Sequence, residues 1–226
     1  MTTLDSRRYF ADLRVAAMVD AVQQGDVPGV THALASGISA NAPGSQGFRP
    51  IHFVFVAKDP SVLQLLLSAG ADPNARLANG NPPLYFAVRL PNSDFTRVLL
   101  AAGADPNAQG EHRQPVIHEA IYARMAANVV LLAQAGADVN AVWGGSTPLL
   151  AAITTFAWPL ATTLLDLNAD TVFRDHAGVS AVDQFCAHIA RVPPSAANRQ
   201  GIPPLYAALQ RRGVAIPCEE TVRRFL

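Results

Sequence analysis

The sequence predicts an all-α solenoid, in which helix–turn–helix units with β-hairpin or loop fingers stack side by side. The first reason is a repeat: Gly70-Ala71-Asp72 returns as Gly103-Ala104-Asp105 and Gly136-Ala137-Asp138, 33 residues apart each time. The second is a proline-centred segment about 13 residues after each triplet, such as Pro82-Pro83-Leu84-Tyr85. A fixed period in the range of roughly 20 to 50 residues is typical of repeat architectures, because each unit must bury its apolar face against its neighbours.

Each repeat is expected to hold a short first helix that begins with proline and a longer apolar second helix that ends at glycine. Gly70, Gly103 and Gly136 occupy the stop position, and Asn168 replaces glycine at the fourth. Leucine and valine at spacings of three and four give the second helices an apolar stripe. These helices are expected at 62–69, 95–102, 129–135 and 160–167, and small residues on the first helices are expected at Ala57, Ala87, Ala120 and Ala152.

The repeated segments resemble the ankyrin repeat over about residues 14–190. Pro115-Val116-Ile117-His118 and Thr147-Pro148-Leu149-Leu150 are similar to its Thr-Pro-Leu-His motif, and 66–72 is similar to its Leu-Leu-x-x-Gly-Ala-Asp motif. Threonine itself is kept only at Thr147, with Ser180 as a mild change. The resemblance implies a single domain, 1–226, with a capping segment 1–13, repeats at about 14–42, 43–75, 76–108, 109–141, 142–174 and 175–212, and a tail 213–226. In the last repeat, 192–198 reads as an insertion before a second helix that begins near Pro203.

Composition excludes several classes of partner. The 17 Lys and Arg balance the 17 Asp and Glu, so no basic excess favours nucleic acid or an anionic membrane. Apolar runs are too short for a membrane span, and five charged residues interrupt positions 1–15, where a signal peptide would be apolar. The expected location is cytoplasmic, and a periplasmic one would need a signal peptide that is not seen here. Lys58 is the only lysine, a bias that indicates a GC-rich bacterial gene.

No arrangement of residues predicts catalysis, a metal or a cofactor. Cys186 and Cys218 are expected to be free thiols, since two distant cysteines make neither a disulfide framework nor a four-ligand zinc site. His118-Glu119 begins a zinc-protease motif, but Tyr122 stands where the second histidine would fall. By the resemblance, His52 and His118 hydrogen-bond loop backbone. The chain is therefore expected not to be an enzyme.

The resemblance implies that finger tips and exposed positions of the first helices bind a protein partner. Trp143 is the foremost candidate, because nothing in the repeat calls for a large aromatic side chain there; packing over a neighbouring loop is the alternative. Phe48 and Tyr122 either face the partner or turn inward. The full candidate set is Gln46, Phe48, Arg76, Asn79, Asn81, Arg89, Glu111, His112, Gln114, Tyr122, Trp143, Ser146, Thr154, Thr155, His176 and Val179.

The leading functional hypothesis is a non-enzymatic module that binds another protein along its concave face and finger tips. In a bacterium, its specific form would be an inhibitor or immunity protein for a toxin or effector. A secreted effector that acts on host proteins, and an enzyme or cofactor binder that uses the groove, are the alternatives. The unbound chain is expected to be a monomer.

Overall fold

The computed structural model describes residues 4–57 and 59–226, which form helices, turns and loops. The chain divides into two compact units, Met1–Val116 and Ile117–Leu226. Within the described residues, extended pairing is limited to three isolated bridges, between Gln109 and Pro115, between Trp143 and Ser146, and between Arg174 and Ser180. The all-α prediction is therefore confirmed, with fingers that pair at one point each. Six repeats within one domain stay a prediction.

The first unit contains five α-helices within its described residues. They are α1 Leu13–Gln24, α2 Val27–Ala35, α3 Ser61–Ser68, α4 Pro83–Ala87 and α5 Asp94–Ala101. Short 3-10 helices occupy Ser6–Arg8, Ser45–Gly47, Pro50–Val56 and Glu111–Arg113. The helix Pro50–Val56 takes the place of the first helix of the second repeat, so Ala57 follows that helix instead of lying in it.

The second unit continues the alternation of short and longer helices. They are α6 Val116–Tyr122, whose first residue closes the first unit, α7 Ala126–Gln134, α8 Pro148–Thr154, α9 Trp158–Asp166, α10 Ala181–Ile189, α11 Ala196–Arg211 and α12 Glu219–Val222. No helix in the described part of the chain is both long and apolar enough to cross a bilayer.

The predicted second helices are present as α3, α5, α7 and α9, and each begins one to three residues before its expected start. The residues predicted to end them adopt the left-handed conformation, with φ of 84° at Gly70, 86° at Gly103, 93° at Gly136 and 64° at Asn168. A Cβ added at any of the three glycines would meet no atom within 4 Å. The positive φ, and not a close approach, is therefore what favours glycine.

Two side chains cap first helices in the second unit, as their motif positions predict. Thr147 Oγ1 accepts a hydrogen bond from the Leu150 N–H at 3.3 Å at the start of α8. At the start of α10, Ser180 Oγ accepts from the Asp183 N–H at 3.2 Å, while Asp183 Oδ2 accepts from the Ser180 N–H at 2.9 Å. Such caps satisfy backbone donors that have no partner inside the helix.

Asparagines in the loops tie successive repeats together. Asn41 Nδ2 donates to the Gly70 carbonyl at 2.6 Å, and Asn41 Oδ1 accepts from the Asp72 N–H at 2.8 Å. The corresponding bonds of Asn74 reach the next repeat at 3.0 and 2.8 Å, and Asn140 Oδ1 accepts from the Asp170 N–H at 2.7 Å in the second unit. The repeated Asn of the loop motif is thus part of the scaffold.

The cores of both units consist of stacked helices. Leu66 and Leu99 of the second helices in the first unit, and Leu132 in the second unit, are completely buried. Ala87, Ala120 and Ala152 on the first helices also have no exposed surface, as expected for close approach of neighbouring helices. Because each repeat buries its apolar face only against its neighbours, the stacking is what holds these helices.

The last repeat differs from the sequence-based expectation. Helix α11 begins at Ala196, where Ser195 Oγ accepts from the Asn198 N–H at 3.3 Å, and not near Pro203. Pro203 lies inside the helix, where proline removes a backbone donor. The added turns pack on α9: a Cβ at Gly201 would lie 2.7 Å from the Trp158 Cβ. This close helix packing outweighs the tendency of proline to begin a helix.

The two cysteines are joined, so the expectation of free thiols is wrong. Cys186 in α10 and Cys218, just before α12, form a disulfide with a Cα–Cα distance of 5.5 Å. Beyond the disulfide, Val222 and Phe225 are buried, and α12 packs against both α10 and α11. The tail 213–226 is therefore an ordered cap on the last repeat. The sequence separation of 32 concealed a proximity that only the folded chain creates.

Candidate functional site

The finger of the fifth repeat places an indole beside the first helices of the second unit. The Trp143 N–H donates to the Ser146 carbonyl at 3.0 Å, and the Ser146 N–H donates back at 2.9 Å. Gly144 and Gly145 between them have φ of 57° and 78°. Two consecutive positive φ values define the tightest hairpin turn, which glycine forms at little cost. The Gly-Gly pair thus closes the finger directly after Trp143.

Trp143 lies against two other rings. Its ring centre is 6.0 Å from His118 and 6.4 Å from Tyr122, and His118 and Tyr122 are 6.3 Å apart. Trp143 is half-buried, because it packs on helix α6 and not over a neighbouring loop, and it keeps an exposed part. Tyr122 is 41% exposed, whereas His118 is buried beneath both rings. The result is a pair of partly exposed aromatic side chains on a rigid base.

A groove of about 370 Å³ runs beside this pair in the second unit. Its lining includes Tyr122, Ser146, Leu150, Thr154, His176 and Gln184. The ring of His176 closes one side so tightly that a Cβ on Gly145 would lie 2.6 Å from its Cδ2 atom. Asp175 accepts from the N–H groups of Ala177 and Val179 at 2.8 and 2.9 Å, which holds the next finger in place.

At Tyr122 the groove presents a neutral phenol. Burial, with a smaller contribution from the negative charge of Glu119, raises the pKa of the Tyr122 phenol. Thr154 is exposed, and its hydroxyl donates to the Leu150 carbonyl at 2.8 Å. Thr155 is half-buried and donates in the same way to the Ala151 carbonyl. The groove therefore offers aromatic faces and hydroxyl groups to a binding partner.

The placement of Ser146, His176 and Val179 completes the predicted set in the second unit. His176 is exposed at the tip of its finger, while Ser146 and Val179 are half-buried. Together with Tyr122, Trp143, Thr154 and Thr155, they make up the seven predicted residues of this unit. We call these seven residues the finger surface. Four of them line the groove and Trp143 contacts Tyr122 beside it, so the structure brings most of this predicted group together.

The prediction that Asn81 is exposed is wrong. Asn81 is only 4% exposed, and its Oδ1 atom accepts a hydrogen bond from the Glu111 N–H at 2.6 Å. The neighbouring finger comes so close that a Cβ on Gly110 would lie 2.6 Å from the same oxygen. Asn81 therefore joins two fingers in the first unit. It is part of the scaffold because a buried amide must use its hydrogen bonds inside the protein.

Phe48 turns inward. Its ring centre is 4.3 Å from Tyr9 and 5.3 Å from Phe53, and the side chain is half-buried in this aromatic cluster. Gln46, two residues earlier, is exposed at φ 56°. Of the two readings that the sequence left open for Phe48, packing against the N-terminal segment is the one that the structure shows.

The other predicted residues of the first unit are largely exposed, but several have structural contacts. Arg76 Nη1 donates to the Gly80 carbonyl at 2.9 Å and to the Gln109 carbonyl at 2.6 Å, so it links two fingers. The Arg89 guanidinium lies 5.8 Å from the centre of the Tyr85 ring. Asn79, Glu111 and His112 are exposed, and Gln114 is half-buried.

The two repeated histidines hydrogen-bond loop backbone, as predicted. His52 Nε2 lies 3.0 Å from the Ala75 carbonyl, and its Nδ1 accepts from the Arg49 N–H at 3.0 Å. His118 Nε2 lies 2.7 Å from the Ala141 carbonyl. Burial lowers the pKa of both imidazoles below the usual 6.5. Both rings are thus held neutral as parts of the scaffold.

No group of three or more His, Cys, Asp or Glu side chains gathers to hold a metal ion in the part of the chain that the structure describes.

Two residues with an unusual backbone conformation were not predicted from the sequence. Arg124 and Phe156 adopt positive φ, at 60° and 58°, in turns between helices of the second unit. Their alignment with Gly25, which ends α1, is the sequence signal that could have identified them.

The comparisons with known proteins agree with these observations. A family model described as ankyrin repeats (3 copies) matches residues 18–110. Among solved structures, the chain is similar to the ankyrin repeat domain of Bcl-3, described as a unique member of the IkappaB protein family. The two share 25% sequence identity and a TM-score of 0.71, over 92% of this chain and 95% of that one. No curated protein sequence matches significantly.

Proposed function

Since this chain is an ankyrin-repeat protein with the solenoid fold of that family, we propose that it binds its protein partner through the finger surface of the second unit. Ankyrin repeats are protein–protein interaction modules and generally not enzymes. The proposal adds which surface and which residues bind the partner.

One observation carries the proposal: Tyr122 and Trp143 lie 6.4 Å apart beside a groove, and both keep exposed surface. Aromatic side chains dominate the centres of protein interfaces, because they supply a large contact area and lose few rotamers on binding. Here the hairpin turn, the buried His118 and the neighbouring finger already hold the rings in place. Little conformational entropy remains to be lost when a partner covers them.

The proposal is tested with the tagged full-length chain as bait. Proteins that bind it are identified, and the purified partner is titrated against wild type and variants. Trp143→Ala or Tyr122→Ala should weaken the affinity by about 2 kcal/mol or more, as expected for a residue at the centre of an interface. Because Trp158 is only 2% exposed, a change in tryptophan emission on binding would report mainly on Trp143.

Gln134→Ala, on the exposed face of α7, is the matched control, and it should leave the affinity unchanged. If both aromatic variants bind the partner as tightly as wild type, the finger surface is not the binding site. The predicted residues of the first unit, from Gln46 to Gln114, then become the next set to test.

A role as an inhibitor or immunity protein for a toxin or effector stays a prediction from the family resemblance alone. Adding the chain to its purified partner and measuring the activity of that partner is the test. A secreted effector and a groove-based enzyme remain the alternatives. Turnover by the purified chain, or a small molecule retained by it, would favour the enzyme.

The cytoplasmic location and the monomeric state also stay predictions. The disulfide between Cys186 and Cys218 is an observation against the first, because disulfides persist in oxidising compartments and are rare in the cytosol. Thiol labelling of the protein, taken directly from its source under denaturing conditions, would show whether the two cysteines are joined there.

A further inference from the structure

Three turns between paired helices share one backbone conformation. Gly25, Arg124 and Phe156 have φ of 72°, 60° and 58°. At each, the N–H donates to the carbonyl three residues earlier, and the next N–H donates to the carbonyl five residues before itself, at 2.8–3.2 Å. The turn therefore requires a left-handed residue, and glycine fills that position at Gly25. Within the second unit the same position holds an arginine and a phenylalanine.

Phe156 is costly at this position for two reasons. A bulky residue is rarely found at positive φ, because its Cβ approaches its own carbonyl group. In addition, the side chain remains 44% exposed instead of contributing a fully buried ring. Glycine would form the turn with less strain, so the turn conformation does not account for phenylalanine here. Strained residues of this kind concentrate at functional sites.

Phe156 lies beside residues from several elements of the second unit. Its ring centre is 4.7 Å from that of His188, with the planes inclined by 30°, and 5.6 Å from that of the buried Trp158. Arg124 Nη2 donates to the Thr155 carbonyl at 2.6 Å, which places the guanidinium beside Phe156. Arg191 follows in the turn after α10, where its N–H donates to the His188 carbonyl. We call Arg124, Phe156, His188 and Arg191 the turn patch.

The segments that supply the turn patch contain no carboxylate. Neither Asp nor Glu occurs in 120–137, 139–165 or 184–218, although the whole chain is neutral. Across the described residues, the exposed side chains of Arg124, Arg191 and Arg199 form no ion pair. The patch thus combines one exposed aromatic ring with arginines that form no ion pair within the described residues.

We propose that the turn patch is a second docking site, which takes an acidic segment of a protein with an apolar side chain placed over Phe156. Positive potential draws an acidic segment and fixes its orientation, while the ring supplies apolar contact area. A protein segment fits better than a nucleic acid, since the chain has no net positive charge and the patch offers a single ring. The site shares no residue with the finger surface and does not depend on it.

A phage library of random short peptides, panned on the full chain, tests this proposal. Clones that bind wild type but not Phe156→Gly should be rich in Asp and Glu and carry a Leu or an aromatic residue. Glycine suits φ 58°, but the variant also loses the ring contacts with His188 and Trp158, so circular dichroism and the unfolding temperature must first show that it is folded under the panning conditions. For a selected peptide, Phe156→Gly and Arg124→Gln should each weaken binding about tenfold, and added salt should weaken it further.

Arg97→Gln in the first unit removes the same charge from another exposed arginine and should leave peptide binding unchanged. The proposal is overturned if no clone depends on Phe156, or if the dependent clones carry no acidic excess. It is also overturned if a fluorescein-labelled oligothymidylate binds wild type more tightly than the selected peptide and loses that binding in Phe156→Gly. That last outcome would assign the patch to nucleic acid.

Discussion

The imidazoles of His52 and His118 are buried against loop carbonyls, and this makes the stability of the repeats sensitive to acid. Burial lowers the pKa of each ring in the folded state below the usual 6.5, which describes the unfolded chain. Between those two pKa values the unfolded chain binds more protons than the folded one. The two neutral rings therefore make their full contribution to the free energy of unfolding above about pH 6.5. That contribution decreases as the pH falls from there towards the lower pKa of the folded state.

We expect the free energy of unfolding to decrease between about pH 7.5 and about pH 5.5, by at most about 1.4 kcal/mol per pH unit for each histidine. Urea unfolding at a series of pH values measures it. In His52→Gln/His118→Gln the loss over this range should be smaller than in wild type. Equal losses in the two proteins would show that other groups control the acid sensitivity.

Substitutions at Gly144 and Gly145 separate the cost of backbone strain from the cost of steric crowding in the finger that carries Trp143. Both have positive φ, but an added Cβ meets nothing at Gly144 and meets the His176 ring at 2.6 Å at Gly145. Gly144→Ala should cost about 1 kcal/mol from strain alone. Gly145→Ala should cost more, because His176 must also move. Chemical unfolding of the two variants compares them, and equal costs would mean that the imidazole moves freely.

At the level of elements, the second helices supply stability through fully buried leucines. Leu99→Ala in α5 or Leu132→Ala in α7 should lower the free energy of unfolding by about 2 to 5 kcal/mol, because each leaves a cavity between stacked helices. Leu13→Ala at the start of α1 is the matched control, since Leu13 is 69% exposed. Its cost should stay within about 0.5 kcal/mol. Thermal or urea unfolding followed by circular dichroism measures all three.

The disulfide ties α12 to α10 across a separation of 32 residues. Closing a loop of that length lowers the entropy of the unfolded chain, which corresponds to about 3 to 4 kcal/mol in the chain-entropy description. Cys186→Ser/Cys218→Ser should therefore unfold at lower urea concentration, and amides near Val222 and Phe225 should exchange faster. If the amides of the tail exchange equally fast with and without the disulfide, the packing of α12 alone holds the cap.

For the whole molecule, stability should act as a sum over repeats and their neighbours, with the ends opening before the middle. Under reducing conditions we expect the slowest amide exchange within residues 87–135 and faster exchange towards both ends. Exchange followed by mass spectrometry measures this gradient. Slowest exchange at 193–226 in the reduced protein would contradict it. With the disulfide intact, the C-terminal end should gain more protection than the N-terminal end.

Local features were predictable where the cause lies within a few residues. The stops at Gly70, Gly103, Gly136 and Asn168 follow from the residue that a left-handed backbone tolerates. The cap at Thr147 and the period of 33 residues were also visible in the sequence, and the resemblance to the ankyrin repeat rests on them. By contrast, the start of α11 depends on packing between Gly201 and Trp158, which outweighs the local signal of Pro203 and Pro204.

By itself, the sequence determined the all-α class and the repeat, whereas the candidate residues on the fingers and first helices stay a prediction. The tertiary structure alone decided that Asn81 is buried, that Phe48 turns towards Tyr9, and that Cys186 meets Cys218. The physical reason is the distance along the chain over which each kind of interaction acts. Backbone preference acts over a few residues and leaves its mark in the local sequence, whereas burial and pairing depend on neighbours that only folding brings together.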